Sequence, residues 1–109
     1  MTSTNTPVVE PLSGPTGRLV AAHRGELHEA LRRRGVSNPR LFGSVARGDD
    51  HEGSDVDLLV QFGSDTSLFD ILKLQDELEG ILGVNVDLVS EAGLKDRVRL
   101  RVLQDLIAL

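Results

Sequence analysis

Along residues 18–34 one side of the chain recurs every fourth position, through Leu19, His23, Leu27 and Leu31, with Val20 and Ala30 widening the stripe. That period predicts an amphipathic helix. Arg32, Arg33 and Arg34 fall in its last turn, where positive charge suits the helix dipole, and Gly35 terminates it. Pro39 blocks a continuation, so residues 40–42 read as a very short strand running into Gly43. Residues 43–47 read as a turn entering a short helix, and 48–54 as a polar loop.

Strict alternation follows over 55–62. Val56, Leu58, Val60 and Phe62 face one way, and Asp55, Asp57, Leu59 and Gln61 the other, as in a strand. Ser67 caps the next helix, with Asp70 three residues on; Ile71, Leu74, Leu78 and Ile81 form its apolar stripe and Gly83 ends it. A second alternating run, 84–89, sets Val84, Val86 and Leu88 against Asn85, Asp87 and Val89. A last helix is expected from about Ala92 through Leu94, Val98, Val102 and Leu106, its final residues also being able to form a short edge strand. Helices and strands in alternation predict an α/β fold, a small mixed β-sheet with helices packed on it.

Residues 1–16 hold all but one of the four prolines and many Ser and Thr. They offer too few apolar groups to offset the entropy of ordering, so a disordered leader is expected at 1–16 and a single domain at 17–109. The chain carries 12 Lys and Arg against 17 Asp and Glu, a formal charge of −5, which argues against an extended nucleic-acid surface. It has no cysteine, which excludes disulfides, thiol catalysis and cysteine-ligated metals. No apolar run is long enough for a membrane span and no signal sequence opens the chain, so a soluble, cytoplasmic protein is expected.

The candidate chemistry lies in three short stretches, Gly43-Ser44-Val45-Ala46-Arg47-Gly48, Ser54-Asp55-Val56-Asp57-Leu58 and Val86-Asp87-Leu88. Two residues apart on a strand, Asp55 and Asp57 share a face, with about 6.6 Å between their backbones. Two such carboxylates repel unless a cation or a proton sits between them. Asp87 has the matching phase in its own strand, so if the strands are neighbours three carboxylates converge. An oxygen-only set of this kind suits Mg²⁺, or Mn²⁺, rather than zinc. Gly43 leaves room for an approaching group, the backbone N–H groups from Ser44 onward form an anion site if they open a helix, and the Ser44 hydroxyl adds a donor. Arg47 either neutralises phosphate or pins the loop to an acid. A phosphate-holding turn shortly before paired metal-binding acids is what nucleoside triphosphate chemistry requires. No Gly-Lys-Ser or Gly-Lys-Thr of a P-loop occurs, and no dinucleotide fingerprint.

GSVARG followed by GSDVDLLVQF resembles the signature of the DNA polymerase beta-like nucleotidyltransferase superfamily. More narrowly, the chain resembles the minimal nucleotidyltransferase (MNT) antitoxins that accompany HEPN-domain toxins; the likeness runs over residues 17–109. The resemblance implies a polymerase beta-like fold, Gly43 and Ser44 around the triphosphate of ATP, and Asp55 and Asp57 on Mg²⁺. It implies that Asp87 is the third acid, assisting deprotonation of the attacking hydroxyl, with Arg47 as the motif's arginine. It also implies a reaction, transfer of AMP to a tyrosine of a HEPN RNase toxin, and a hetero-oligomer with that toxin. The chain contains no Tyr, so it cannot be its own tyrosine substrate. Two other functions fit the same residues: an antitoxin that masks its toxin with little catalysis, and a nucleotidyltransferase acting on RNA or a small molecule. Arg18 and His23 have the Arg-x₄-His spacing of HEPN RNases, but the x-Tyr that should follow is absent, and packing is the expected role of His23.

Overall fold

A computed structural model describes residues 10–109, except for the side chains at 96–98 and 101. The predicted first helix is two helices, α1 (Pro15–Ala22) and α2 (Arg24–Arg33). They break at His23, whose backbone leaves helical geometry at φ −110° and ψ 17°. Its N–H is shared between the carbonyls of Leu19 and Val20, and its own carbonyl accepts from Leu27 to start the next helix. The fourfold stripe survives the break, since Val20, Leu27, Ala30 and Leu31 are all buried.

The domain also begins earlier than composition suggested. Pro15 and Thr16 belong to α1, and residues 10–14 lie against the loop after Gly48, so 10–16 are not a disordered leader. Local composition missed this because the ordering comes from a distant acid. Asp50 Oδ2 accepts the N–H groups of Thr16 at 2.7 Å and Gly17 at 3.2 Å, supplying the cap that α1 lacks locally. Residues 1–9 of the expected leader lie outside the described residues.

The remaining elements are β1 (Ser37–Phe42), α3 (Gly43–Arg47), β2 (Val56–Gln61), α4 (Leu68–Leu82), β3 (Val86–Ser90), α5 (Asp96–Leu103) and β4 (Ile107–Ala108). Helix α4 has the expected ends: a complete Ser67–Asp70 capping box, and Gly83 closing it at φ 74°. Strand β1 starts three residues earlier than expected, with an irregularity between Ser37 and Arg40 that takes up Pro39. The predicted last helix is divided. Glu91–Gly93 forms a single 3-10 turn, α5 follows only from Asp96, and the chain ends in the short edge strand β4.

The strand order is β3-β2-β1-β4, with β2 and β3 parallel and the other pairs antiparallel, a mixed sheet. Val56, Leu58 and Val60 of β2 join Leu74, Leu78 and Leu82 of α4 and the buried residues of α2 in one core. Each fully buried Leu or Val there contributes roughly 1.5–3 kcal/mol. That core takes one face of the sheet and leaves the alternate residues of β2 and β3 on the other.

Candidate active site

The parallel register of β2 and β3 pairs Asp57 directly with Asp87. Strand partners in register turn their side chains to the same face, and neighbouring strands are about 4.8 Å apart. Asp55 lies just ahead of β2 in the same phase, so all three acids belong to the face opposite the core. On the other side of β2, antiparallel β1 sets Phe42 opposite Asp57, and the chain then turns at once into α3.

Gly43 makes that turn at φ 78°, in the left-handed region, and a Cβ on it would stand 2.5 Å from Asp57 Oδ2. Glycine is therefore required twice, for its backbone angle and for the space the carboxylate occupies. This contact joins the Gly-Ser turn and the acids into one site. No side chain caps the start of α3, which leaves its first N–H groups, next to the half-buried Ser44, as donors without a side-chain acceptor.

Burial is the main cause that pushes the Asp57 carboxyl up to about 6; the charge of Asp87 and a hydrogen-bond contact with it come next, and Asp55 adds less. Arg47 opposes the shift. Half-buried Asp57 thus carries the electrostatic load of the cluster, while Asp55 and Asp87 are exposed. Among the described residues no group of three or more His, Cys, Asp or Glu side chains is placed to hold a metal ion. The oxygen-only pair Asp55 and Asp57 has the donors that suit Mg²⁺, which is usually held by one or two carboxylates plus substrate phosphates. The repulsion concentrated on Asp57 is what a divalent cation would relieve.

Arg47 is engaged otherwise than a free phosphate ligand would be. Its Nε donates to Asp49 Oδ2 at 3.2 Å and its Nη1 to Asp105 Oδ2 at 2.9 Å. Of its two expected roles, the structure displays loop pinning, within electrostatic reach of Asp57. His23 Nδ1 contacts Glu26 Oε1 at 2.8 Å on the surface, a local helix contact.

Sequence reading missed Asp50, Glu91 and Asp105, and placed Ser54 in a candidate stretch without giving it a role. Buried Ser54 accepts the His51 N–H at 2.9 Å, bracing the loop just before Asp55. Asp50 ties the same loop to α1, and Glu91 gathers Arg40 at 2.6 Å and Gln61 at 2.7 Å at the far end of the acid-bearing face. The sequence held one clue to Asp50: Gly14-Pro15 opens a helix without a local Ser, Thr, Asp or Asn cap, so the cap had to come from elsewhere.

The nucleotidyltransferase domain family matches residues 24–109. The protein adenylyltransferase MntA of Thermococcus cleftensis is 40% identical over 89 residues, which cover 82% of this chain and 87% of the relative. A solved minimal nucleotidyltransferase is 46% identical, with a TM-score of 0.75 over 84% of this chain and 94% of its own. A toxin–antitoxin complex crystallised with AMP-PNP shares the fold, with a TM-score of 0.67 at 23% identity over 77% of this chain and 69% of the other.

Proposed function

The chain belongs to the nucleotidyltransferase domain family, and on that premise we propose that it is a protein adenylyltransferase antitoxin of the minimal kind that accompanies HEPN toxins. Its substrate is ATP and its acceptor a tyrosine hydroxyl of a HEPN-domain RNase toxin, which the added AMP silences. The observation that carries this reading is the Asp57–Asp87 register with Gly43 packed against Asp57, because it brings the Gly-Ser turn and the paired carboxylates together in one site.

The roles follow from the chemistry of each group. The Ser44 hydroxyl and the N–H groups at the start of α3 hold the outer phosphates of ATP. Asp55 and Asp57, with Asp87 beside them, would hold Mg²⁺, which supplies charge neutralisation for the triphosphate when bound. Asp87 is exposed at the edge of the cluster, where an incoming phenol can reach it, and accepts the phenolic proton. The phenolate oxygen forms a bond to the α-phosphorus, the bond to the bridging oxygen breaks, and pyrophosphate leaves. Arg47 fixes the loop that carries Asp49 and orients the rim of the site.

The test is incubation of the protein with α-labelled ATP, Mg²⁺ and its toxin, with Asp57→Ala as control. Label on a toxin tyrosine, absent with the variant, is the expected result. Full inhibition of the toxin at one equivalent without ATP, and no label, would replace the enzyme with a masking antitoxin.

A further inference from the structure

The acceptor has to reach Asp87 from outside this chain, and helix α5 exposes two leucines, Leu100 and Leu103. Helix α5 connects β3 to β4, the two edge strands of the sheet, by way of the turn at Glu91–Gly93. Arg99 of α5 lines a cavity of about 460 Å³ with Gln61 and Glu91, and Gln61 shares the face of Asp57. Just beyond the other end of α5, Asp105 binds Arg47, which belongs to the helix opened by Gly43. Val102 of α5 is buried, as is Leu59, and both are outside the main core. Leu100 and Leu103, three apart and therefore on one side of the helix, are 70% and 47% exposed.

Charge separates this segment from the rest of the chain. Residues 95–103 hold four basic residues (Lys95, Arg97, Arg99 and Arg101) and a single acid, Asp96, in a protein of net charge −5. We propose that the outer surface of α5, centred on Leu100 and Leu103, is the docking surface for the toxin, against a partner face that is apolar at its centre and acidic around it. Seated there, the partner approaches the site from the side of Arg47, which Asp105 just beyond α5 binds, and presents its tyrosine to the acids from outside the chain. The proposal rests on the adenylyltransferase reading and deepens it.

A second exposed apolar group, Leu68, Phe69 and Leu72 at the start of α4, is the natural comparison. It follows the end of β2 remote from Asp57, on a helix packed against the opposite face of the sheet. A partner seated there is directed away from the acids.

The experiment measures toxin affinity without ATP, then toxin KM and kcat with it, for Leu100→Glu/Leu103→Glu and for Leu68→Glu/Leu72→Glu. The α5 variant should weaken toxin binding at least tenfold and raise toxin KM to the same degree. Its kcat at saturating toxin and its binding of Mg-ATP should be unchanged, and the α4 variant should match the wild type throughout. Wild-type binding should also weaken as salt rises, since charges of opposite sign meet at the rim. Undiminished affinity in the α5 variant, or loss of affinity in the α4 variant instead, overturns the proposal. Because affinity is read without ATP, a wild type that binds but transfers no label rejects the adenylyltransferase reading and still locates the docking surface.

Discussion

At the scale of single residues, Asp57 trades stability for function. Its carboxyl is pushed up to about 6, chiefly by burial and then by Asp87, so between about pH 4 and pH 6 the folded chain holds a proton that the unfolded chain releases. Stability from this group is therefore greatest at low pH, falls as pH rises towards 6, and stays reduced above it. The full shift corresponds to about 3 kcal/mol, which solvent screening of a half-buried group reduces to roughly 1 kcal/mol. Asp57→Asn should accordingly raise Tm by roughly 4–8 °C at pH 7.5 in EDTA, leave it nearly unchanged at pH 4, and abolish AMP transfer. Thermal unfolding at the two pH values checks this, and a lower Tm at pH 7.5 would mean that ionising the half-buried Asp57 carboxyl costs the fold nothing. Gly43→Ala should do the reverse. It forces a side chain into the left-handed region and onto Asp57 Oδ2, costing about 1–3 kcal/mol in urea unfolding, and transfer should fall with it.

At the scale of elements, capping divides what the chain reveals locally from what it hides. The Ser67–Asp70 box at α4 was legible because both partners lie within three residues, and Gly83 marks the other end. The cap of α1 comes from Asp50, 34 residues from Thr16, and composition alone therefore placed residues 10–16 in a disordered leader. Asp50→Ala should lower stability by about 0.5–2 kcal/mol and increase hydrogen exchange selectively at Thr16 and Gly17. Ser67→Ala should cost a similar amount with no effect on transfer. Exchange that increases uniformly over the domain in Asp50→Ala would count against a local cap. The acids were legible for a related reason. Period-two alternation fixed the faces of Asp55, Asp57 and Asp87 within their own strands, and only the pairing of those strands remained for the fold to supply. The division of the last helix could not be read the same way. The chain's exit from it depends on Asp105 meeting Arg47, and the turn before it on Glu91 meeting Arg40 and Gln61, contacts between residues far apart in sequence.

At the scale of the whole molecule, one face of the sheet is committed to the core and the other to chemistry, and the two faces are linked through β2. Leu58 is buried among the apolar residues while its neighbours Asp57 and Leu59 face the other way, so the segment that anchors the core also sets the position of the site. A ligand that neutralises the acids should therefore stabilise the entire domain rather than a loop. ATP with Mg²⁺ at one hundred times its Kd should add about 2.7 kcal/mol to the unfolding free energy. ATP in EDTA should add far less, because the triphosphate then meets Asp55, Asp57 and Asp87 with no cation between like charges. Asp57→Ala should lose most of the Mg-ATP effect, and Ser44→Ala a smaller part, since the N–H donors at the start of α3 remain. Thermal unfolding of the wild type and both variants, each with ATP in Mg²⁺ and in EDTA, measures all of these differences. An equal rise in Tm with and without the metal would place the triphosphate away from the acids, and with it the reaction.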